Sequence, residues 1–291
     1  FGQVELSPDG KSVAWVESIL DKKGGPTAYQ AIYFTDSKNL NKPIQVQATA
    51  KKDQLIENGI AWSADNTQLA FLSDAQKSGQ QQLYVYNLKE NSARKITSTK
   101  GVLSTPKWSA DSKSIAVLFT ENLSEHSGAQ EAQATHSGEI KDTYYEQQLA
   151  IVDINTGKIN TLTPDDFFVY EYDWSPDGKQ LVFTGAKGNG NNNWFVAQLY
   201  AVETSSGKMR TLYKPSFQIG RPAVSPDGKN VAFLMGLNSD AIVVGGDIYV
   251  LPINGGTAEN ITHHRPATVT FVSWLNNSTI LGVENKDAET S

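Results

Sequence analysis

Trp174-Ser175-Pro176-Asp177-Gly178-Lys179, running into Gln180-Leu181-Val182-Phe183-Thr184, reads as a tight turn feeding a strand. Pro176 presets φ at the first central position, Asp177 offers a carboxylate to the backbone ahead of it, and Gly178 tolerates φ > 0. The residues beyond are β-branched and aromatic, as a strand requires. The stretch recurs. Leu6-Ser-Pro-Asp-Gly-Lys11 leads into Val13–Val16, and Val224-Ser-Pro-Asp-Gly-Lys229 into Val231–Leu234. Trp62-Ser-Ala-Asp-Asn-Thr67 leads into Leu69–Leu72, Trp108-Ser-Ala-Asp-Ser-Lys113 into Ile115–Leu118, and the degraded Trp274-Leu-Asn-Asn-Ser-Thr279 into Ile280–Val283.

The residues before these turns, 6, 62, 108, 174, 224 and 274, lie 46 to 66 positions apart. A self-similar unit of about 40–50 residues made of strands and turns is the signature of a β-propeller. After each hairpin a linker leads to a third strand (Ala31–Phe34, Leu83–Tyr86, Leu149–Val152, Leu199–Val202, Ile248–Leu251), a polar turn and a fourth strand. The fold class expected is all-β: one propeller domain over 1–291, five complete four-stranded antiparallel blades and the first hairpin of a sixth. Blade boundaries fall near 1–50, 51–98, 99–163, 164–214, 215–263 and 264–291. Turns between first and second strands are short and uniform. Those between second and third (Ser18–Tyr29, Asp74–Gln81, Thr120–Tyr145, Gly185–Val196, Gly236–Gly246) are long and differ every time. Recognition tends to sit on variable loops over a rigid scaffold, so this second face is the functional candidate.

Composition narrows the partners. A net charge of -6 without a basic cluster argues against nucleic acid. No apolar run approaches the roughly 18 residues of a membrane span. The absence of cysteine excludes disulfides, thiol nucleophiles and thiolate metal sites. Phe1 opens the chain already inside a strand, and Lys286–Ser291 closes it just after the sixth hairpin, so a piece of a longer protein is expected.

Asp9, Asp65, Asp111, Asp177 and Asp227 occupy one turn position in five different blades and do not converge; they read as turn formers. Trp62, Trp108, Trp174 and Trp274 each end a first strand and read as packing between blades. His126 and His136, with Glu125, Glu131, Glu139 and Asp142, match no zinc or calcium spacing and read as a solvated loop. His263-His264 reads as a blade-to-blade turn. The Gly-rich run Gly185–Asn193 precedes no helical pattern, which argues against a phosphate cradle. No G-x-S-x-G elbow occurs. Neither a cofactor nor a metal is expected.

The unit W-S-P-D-G-K-x-[LIV]-[AV]-F resembles the repeats of TolB-like propellers and of the prolyl oligopeptidase family of serine peptidases. Leu6–Trp15 with Ile19-Leu20-Asp21 resembles the opening blade of that family's acylaminoacyl-peptidase/dipeptidyl-aminopeptidase branch. Gly220–Gly228, Ser239–Tyr249 and Ile253-Asn-Gly-Gly256 resemble another of its blades. The resemblance implies a propeller that gates and binds short peptides for an α/β-hydrolase domain of the same polypeptide, carrying the Ser-Asp-His triad outside these residues. It also implies a full propeller of six to eight blades, seven by preference. The partners expected are that domain and a peptide substrate. The alternative is a TolB-like module that binds proteins and catalyses nothing. The compartment stays open, with a periplasmic or secreted place favoured over the cytoplasm. On the irregular face, Arg221, Glu171 and Asp240 are the candidates for holding a peptide's charged end.

Overall fold

A computed structural model of the chain describes residues 2–49, 54–123, 145–188, 190–238, 245–286 and 289–290. Six antiparallel sheets follow one another along the chain. The first holds β1 (Gln3–Leu6), β2 (Ser12–Leu20), β3 (Pro26–Asp36) and β4 (Ile44–Val46). The second holds β5 (Glu57–Trp62), β6 (Gln68–Ser73), β7 (Gln82–Asn87) and β8 (Ser92–Lys95). The third holds β9 (Gly101–Trp108), β10 (Ser114–Glu121), β11 (Gln148–Asp153) and β12 (Ile159–Thr161). The fourth holds β13 (Phe167–Trp174), β14 (Gln180–Lys187), β15 (Gln198–Glu203) and β16 (Met209–Tyr213), with a 3-10 helix at Gly190–Val196. The fifth holds β17 (Gln218–Val224), β18 (Asn230–Gly236), β19 (Asp247–Pro252) and β20 (Glu259–Asn260). The sixth holds β21 (Thr268–Asn276), β22 (Thr279–Lys286) and a short β23 (Glu289–Thr290), one strand more than the hairpin expected. The first three sheets make up one compact unit and the last three another. No helix of the described residues is long and apolar enough to cross a membrane.

Each sheet is a meander because its turns carry their own chemistry. In five of them one serine organises the first turn. Ser7, Ser63, Ser109, Ser175 and Ser225 each donate a hydroxyl to the aspartate two residues on, at 2.6–2.8 Å. The same oxygens accept the backbone N–H that opens the next strand, at 2.9–3.0 Å. Besides the serine hydroxyl the aspartate accepts a backbone N–H, that of Lys179 in the case of Asp177. The third turn position takes positive φ at Gly10, Asn66, Ser112, Gly178 and Gly228. The turn aspartates are therefore structural, and the serine beside them is buried because both its donor and its acceptor are used.

Three junctions between successive sheets are made by the tryptophan that ends a first strand. The indole N–H of Trp62 donates to Glu5 O at 3.2 Å, and that of Trp108 to Ala61 O at 3.0 Å. In the other unit Trp274 donates to Ala223 O at 3.0 Å. In each case the acceptor is the residue just before the turn-leading position of the preceding sheet. Packing alone, the role read from the sequence, is half of what these side chains do.

Two connections differ from the loops expected. Ser18–Tyr29 is mostly strand: β2 and β3 pair out to Leu20 opposite Pro26, and Asp21 closes the turn by accepting the N–H groups of Lys23 and Gly25. Gly185–Val196 carries the 3-10 helix, whose Trp194 is buried among Leu234, Ile248 and Val272.

Replacing Trp108 by Phe should cost about 1–3 kcal/mol, because the buried Ala61 carbonyl loses its donor while the packing largely remains; urea unfolding of the two proteins measures it. Gly178→Val should cost about 1–3 kcal/mol through conformation alone, since φ is +68° and nothing lies within 4 Å of an added Cβ.

Acid should weaken the fold in a defined way. The Ser175 hydroxyl and the Lys179 amide hold the Asp177 carboxyl below the ordinary range, as Ser225 and Lys229 do for Asp227. Their stabilisation is fully present above the unfolded aspartate value of about 3.9 and is lost as pH falls through the depressed values. Buried Glu57 runs the opposite way: desolvation raises its pKa, so its contribution is present at low pH and lost as pH rises. The urea midpoint should fall below about pH 4, and Asp177→Asn should make that fall shallower.

Candidate functional site

The first strands are irregular at one recurring place. In the second, third and fifth sheets, two residues stand opposite one: Gly59-Ile60 opposite Phe71, Thr105-Pro106 opposite Val117, Arg221-Pro222 opposite Phe233. The first of each pair has positive φ, 63°, 51° and 56° respectively. This is the geometry of a β-bulge, and only glycine enters it without strain. For Arg221 the left-handed conformation costs of order 1–2 kcal/mol.

Glu171 answers that bulge from the neighbouring sheet. Its Oε2 accepts the backbone N–H of Arg221 at 2.6 Å, and its Oε1 lies 3.6 Å from Arg221 Nη1. Two residues on, Asp173 Oδ2 accepts the N–H of Val224 at 2.9 Å. The first unit repeats the arrangement with neutral groups: Gln3 Oε1 accepts the N–H of Ile60 at 3.0 Å while its Nε2 donates to Ile60 O at 2.9 Å. The ion pair itself is worth about 0–1 kcal/mol, because the Arg221 side chain is half exposed and that of Glu171 about a third. The bond to the backbone amide is the stronger tie.

Of the three residues expected to bind a peptide end, the structure brings two together, and Asp240 lies outside the described residues, as do His126 and His136. Thr184 on β14 pairs with Glu171 on β13, and among the described residues its buried hydroxyl has no hydrogen-bond partner. Next to Glu171 on β13, Tyr170 is half buried against Phe168, ring centroids 4.9 Å apart, and burial pushes its phenol up, with Glu146 adding to the shift. A carboxylate and a half-exposed guanidinium at one place can bind a zwitterionic ligand. They cannot perform acyl transfer, which needs a nucleophile with a base aimed at it. Among the described residues no group of three or more His, Asp or Glu is placed to hold a metal ion. Sequence reasoning missed the partnership between Glu171 and the Arg221 amide. Its signal was a glycine or an X-Pro pair three residues before the turn in three of the repeats.

Glu171→Ala should cost about 1–3 kcal/mol by stranding the Arg221 amide, whereas Glu171→Gln keeps an acceptor and should cost less. Arg221→Gly should melt no lower than the parent and Arg221→Val clearly lower; thermal unfolding of the variants checks both.

No family model matches the chain. It is 28% identical over 197 residues to the uncharacterized peptidase YuxL of Bacillus subtilis (strain 168), a match covering 62% of this chain and 28% of that protein. The chain thus spans a little over a quarter of that curated relative. Among solved structures, the β-propeller domain of the trilobed protease from Pyrococcus furiosus superposes with a TM-score of 0.65 at 15% identity, over 99% of this chain and 78% of that one. The acylaminoacyl peptidase of Pyrococcus horikoshii gives 0.64 at 14% identity over 96% and 42%. TolB of Acinetobacter baumannii gives 0.55 at 19% identity over 96% and 62%. The fold is a β-propeller, and the chain is similar to peptidase propellers and to TolB.

Proposed function

We propose that this chain is the propeller part of a serine peptidase that hydrolyses short peptides, its catalytic triad lying outside these 291 residues. The observation that carries the reading is the sequence similarity to the peptidase YuxL, which extends over 62% of the chain. The superposition on two protease propellers adds to it at the level of fold alone. In this reading the irregular face borders an α/β-hydrolase domain. The Glu171 carboxylate and the Arg221 guanidinium, paired in the structure, open to take the amino and carboxylate groups of a peptide. Exchange costs little because the pair is weak and half exposed, while charge-assisted bonds to a terminus contribute about 1.5–3 kcal/mol each. Asp240 is the third proposed contact.

The second reading, a TolB-like propeller that binds a protein partner without catalysis, is favoured by the match to TolB across nearly the whole chain. A periplasmic or secreted place goes with either.

The readings separate on short peptides. The purified chain alone should not turn over aminoacyl or dipeptidyl chromogenic amides, and turnover that survives a serine-directed inhibitor would overturn the proposal. It should bind tri- and tetrapeptides saturably, with Glu171→Gln and Arg221→Met each weakening binding tenfold or more at nearly unchanged melting temperature. Peptide binding untouched by either change removes the pair from the site. No peptide binding at all leaves the protein-binding reading.

A further inference from the structure

In four sheets an aromatic of the second strand stacks on a tyrosine directly opposite on the third. The pairs are Trp15 on Tyr33, Phe71 on Tyr84, Phe183 on Tyr200 and Phe233 on Tyr249, centroids 5.5–5.8 Å apart. Alone of the four tyrosines, Tyr84 is buried, at 4% exposed. It nonetheless faces a cavity of about 420 Å3 where the chain passes from the first sheet to the second. The side chains of Ala48, Ala75 and Ala93 wall this cavity, and the exposed Gln76 and half-exposed Lys95 stand at its mouth.

The Phe233–Tyr249 stack shows what the Phe71–Tyr84 stack lacks. Tyr213, at the end of β16, packs its ring on Phe233, centroids 5.5 Å apart. β4 ends at Val46 and is followed by Gln47, Ala48 and Thr49, which bring no ring. The Tyr249 hydroxyl accepts an N–H from Asn260, the residue opposite on β20, at 3.2 Å. Opposite Tyr84 stands Lys95, whose ammonium donates to Gln76 Oε1 and not to the tyrosine. Behind the phenol lie two carboxylates, Glu57 and Asp74, 2% and 3% exposed. Glu57 accepts the Ala48 amide, and Asp74 those of Ile56 and Gly79. Burial pushes the Tyr84 phenol up, and both carboxylates add to the shift. The floor of the cavity is thus electronegative and protonated at the phenol, while its mouth carries a cation.

We infer that this cavity binds a free α-amino acid with an aromatic side chain: its ammonium at the Tyr84 hydroxyl oxygen, its carboxylate on Lys95 and its ring among the three alanines. Tyr84 and Lys95 are cross-strand partners, so their polar ends can take two groups carried on one carbon. The Lys95 ammonium has three donors and gives one of them to Gln76. Opposite potentials at floor and mouth orient a zwitterion one way round, and in a partly desolvated cavity they act strongly. A lone anion would meet Glu57 and Asp74, and a lone cation would meet Lys95. The alanine walls leave apolar area for a ring to bury. These residues belong to the first unit, and Glu171 and Arg221 to the second, so the inference stands apart from the peptidase reading.

The test titrates the chain, labelled at its alanine methyl groups, with L-phenylalanine, 2-phenylethylamine and 3-phenylpropanoate through millimolar concentration. L-phenylalanine should shift the methyl signals of Ala48, Ala75 and Ala93 saturably. The amine and the acid, each lacking one charge, should bind at least about tenfold more weakly, the worth of one charge-assisted hydrogen bond. Lys95→Met should erase the advantage of phenylalanine over the amine and keep its advantage over the acid. Ala93→Leu, which fills part of the cavity at a half-buried position, should weaken phenylalanine about tenfold without lowering the melting temperature. Absence of binding, equal affinities of the parent protein for the three compounds, shifts confined to other alanines, or a preference over the amine that survives Lys95→Met would each overturn the inference.

Discussion

The contact on which the repeat depends is an indole N–H given to a main-chain carbonyl of the sheet before it. Trp62 and Trp108 make it in one unit and Trp274 in the other. A tryptophan buries roughly 150–250 Å2, which at about 25 cal/mol per Å2 is an upper bound of about 4–6 kcal/mol. Area without direction would let one sheet slide over another. The hydrogen bond, worth about 1 kcal/mol net, supplies the direction, because leaving the carbonyl buried and unpaired is the costlier outcome.

The bulges follow from the same crowding of first strands. Extra residues at Gly59, Thr105 and Arg221 force the chain into the left-handed region, and the amides so released need acceptors. Gln3 and Glu171 provide them from the adjoining sheet. A charged residue that serves as a cap in one unit has a neutral counterpart in the other. Charge at Glu171 and Arg221 therefore goes beyond what the bulge requires, and the surplus is what makes the pair a binding candidate.

Much of this was legible in the sequence, for particular reasons. The turn signals of Pro176, Asp177 and Gly178 are local, so the repeat, its strands and the structural role of the aspartates could be read directly. Ser175 could not, since its value lies in being donor and acceptor at once within a buried turn. Arg221 and Glu171 were singled out as charges expected on the irregular face. That one's carboxylate meets the other's amide depends on a bulge 50 residues away, which no window of sequence contains. The third strand of the sixth sheet was missed because two residues are too few to carry a period.

Neighbouring sheets recognise each other largely through main-chain atoms: carbonyls for the tryptophans, amides for Gln3, Glu171 and Asp173. Main-chain atoms are present whatever the side chain, so a sheet can change its residues without a matching change in its neighbour. A gene encoding such a unit can be copied, and the copies can drift apart, while each junction still finds its partner. Divergence between blades is then the natural condition of such a chain. The connections between second and third strands, which differ most from one sheet to the next, are where new specificities can accumulate first.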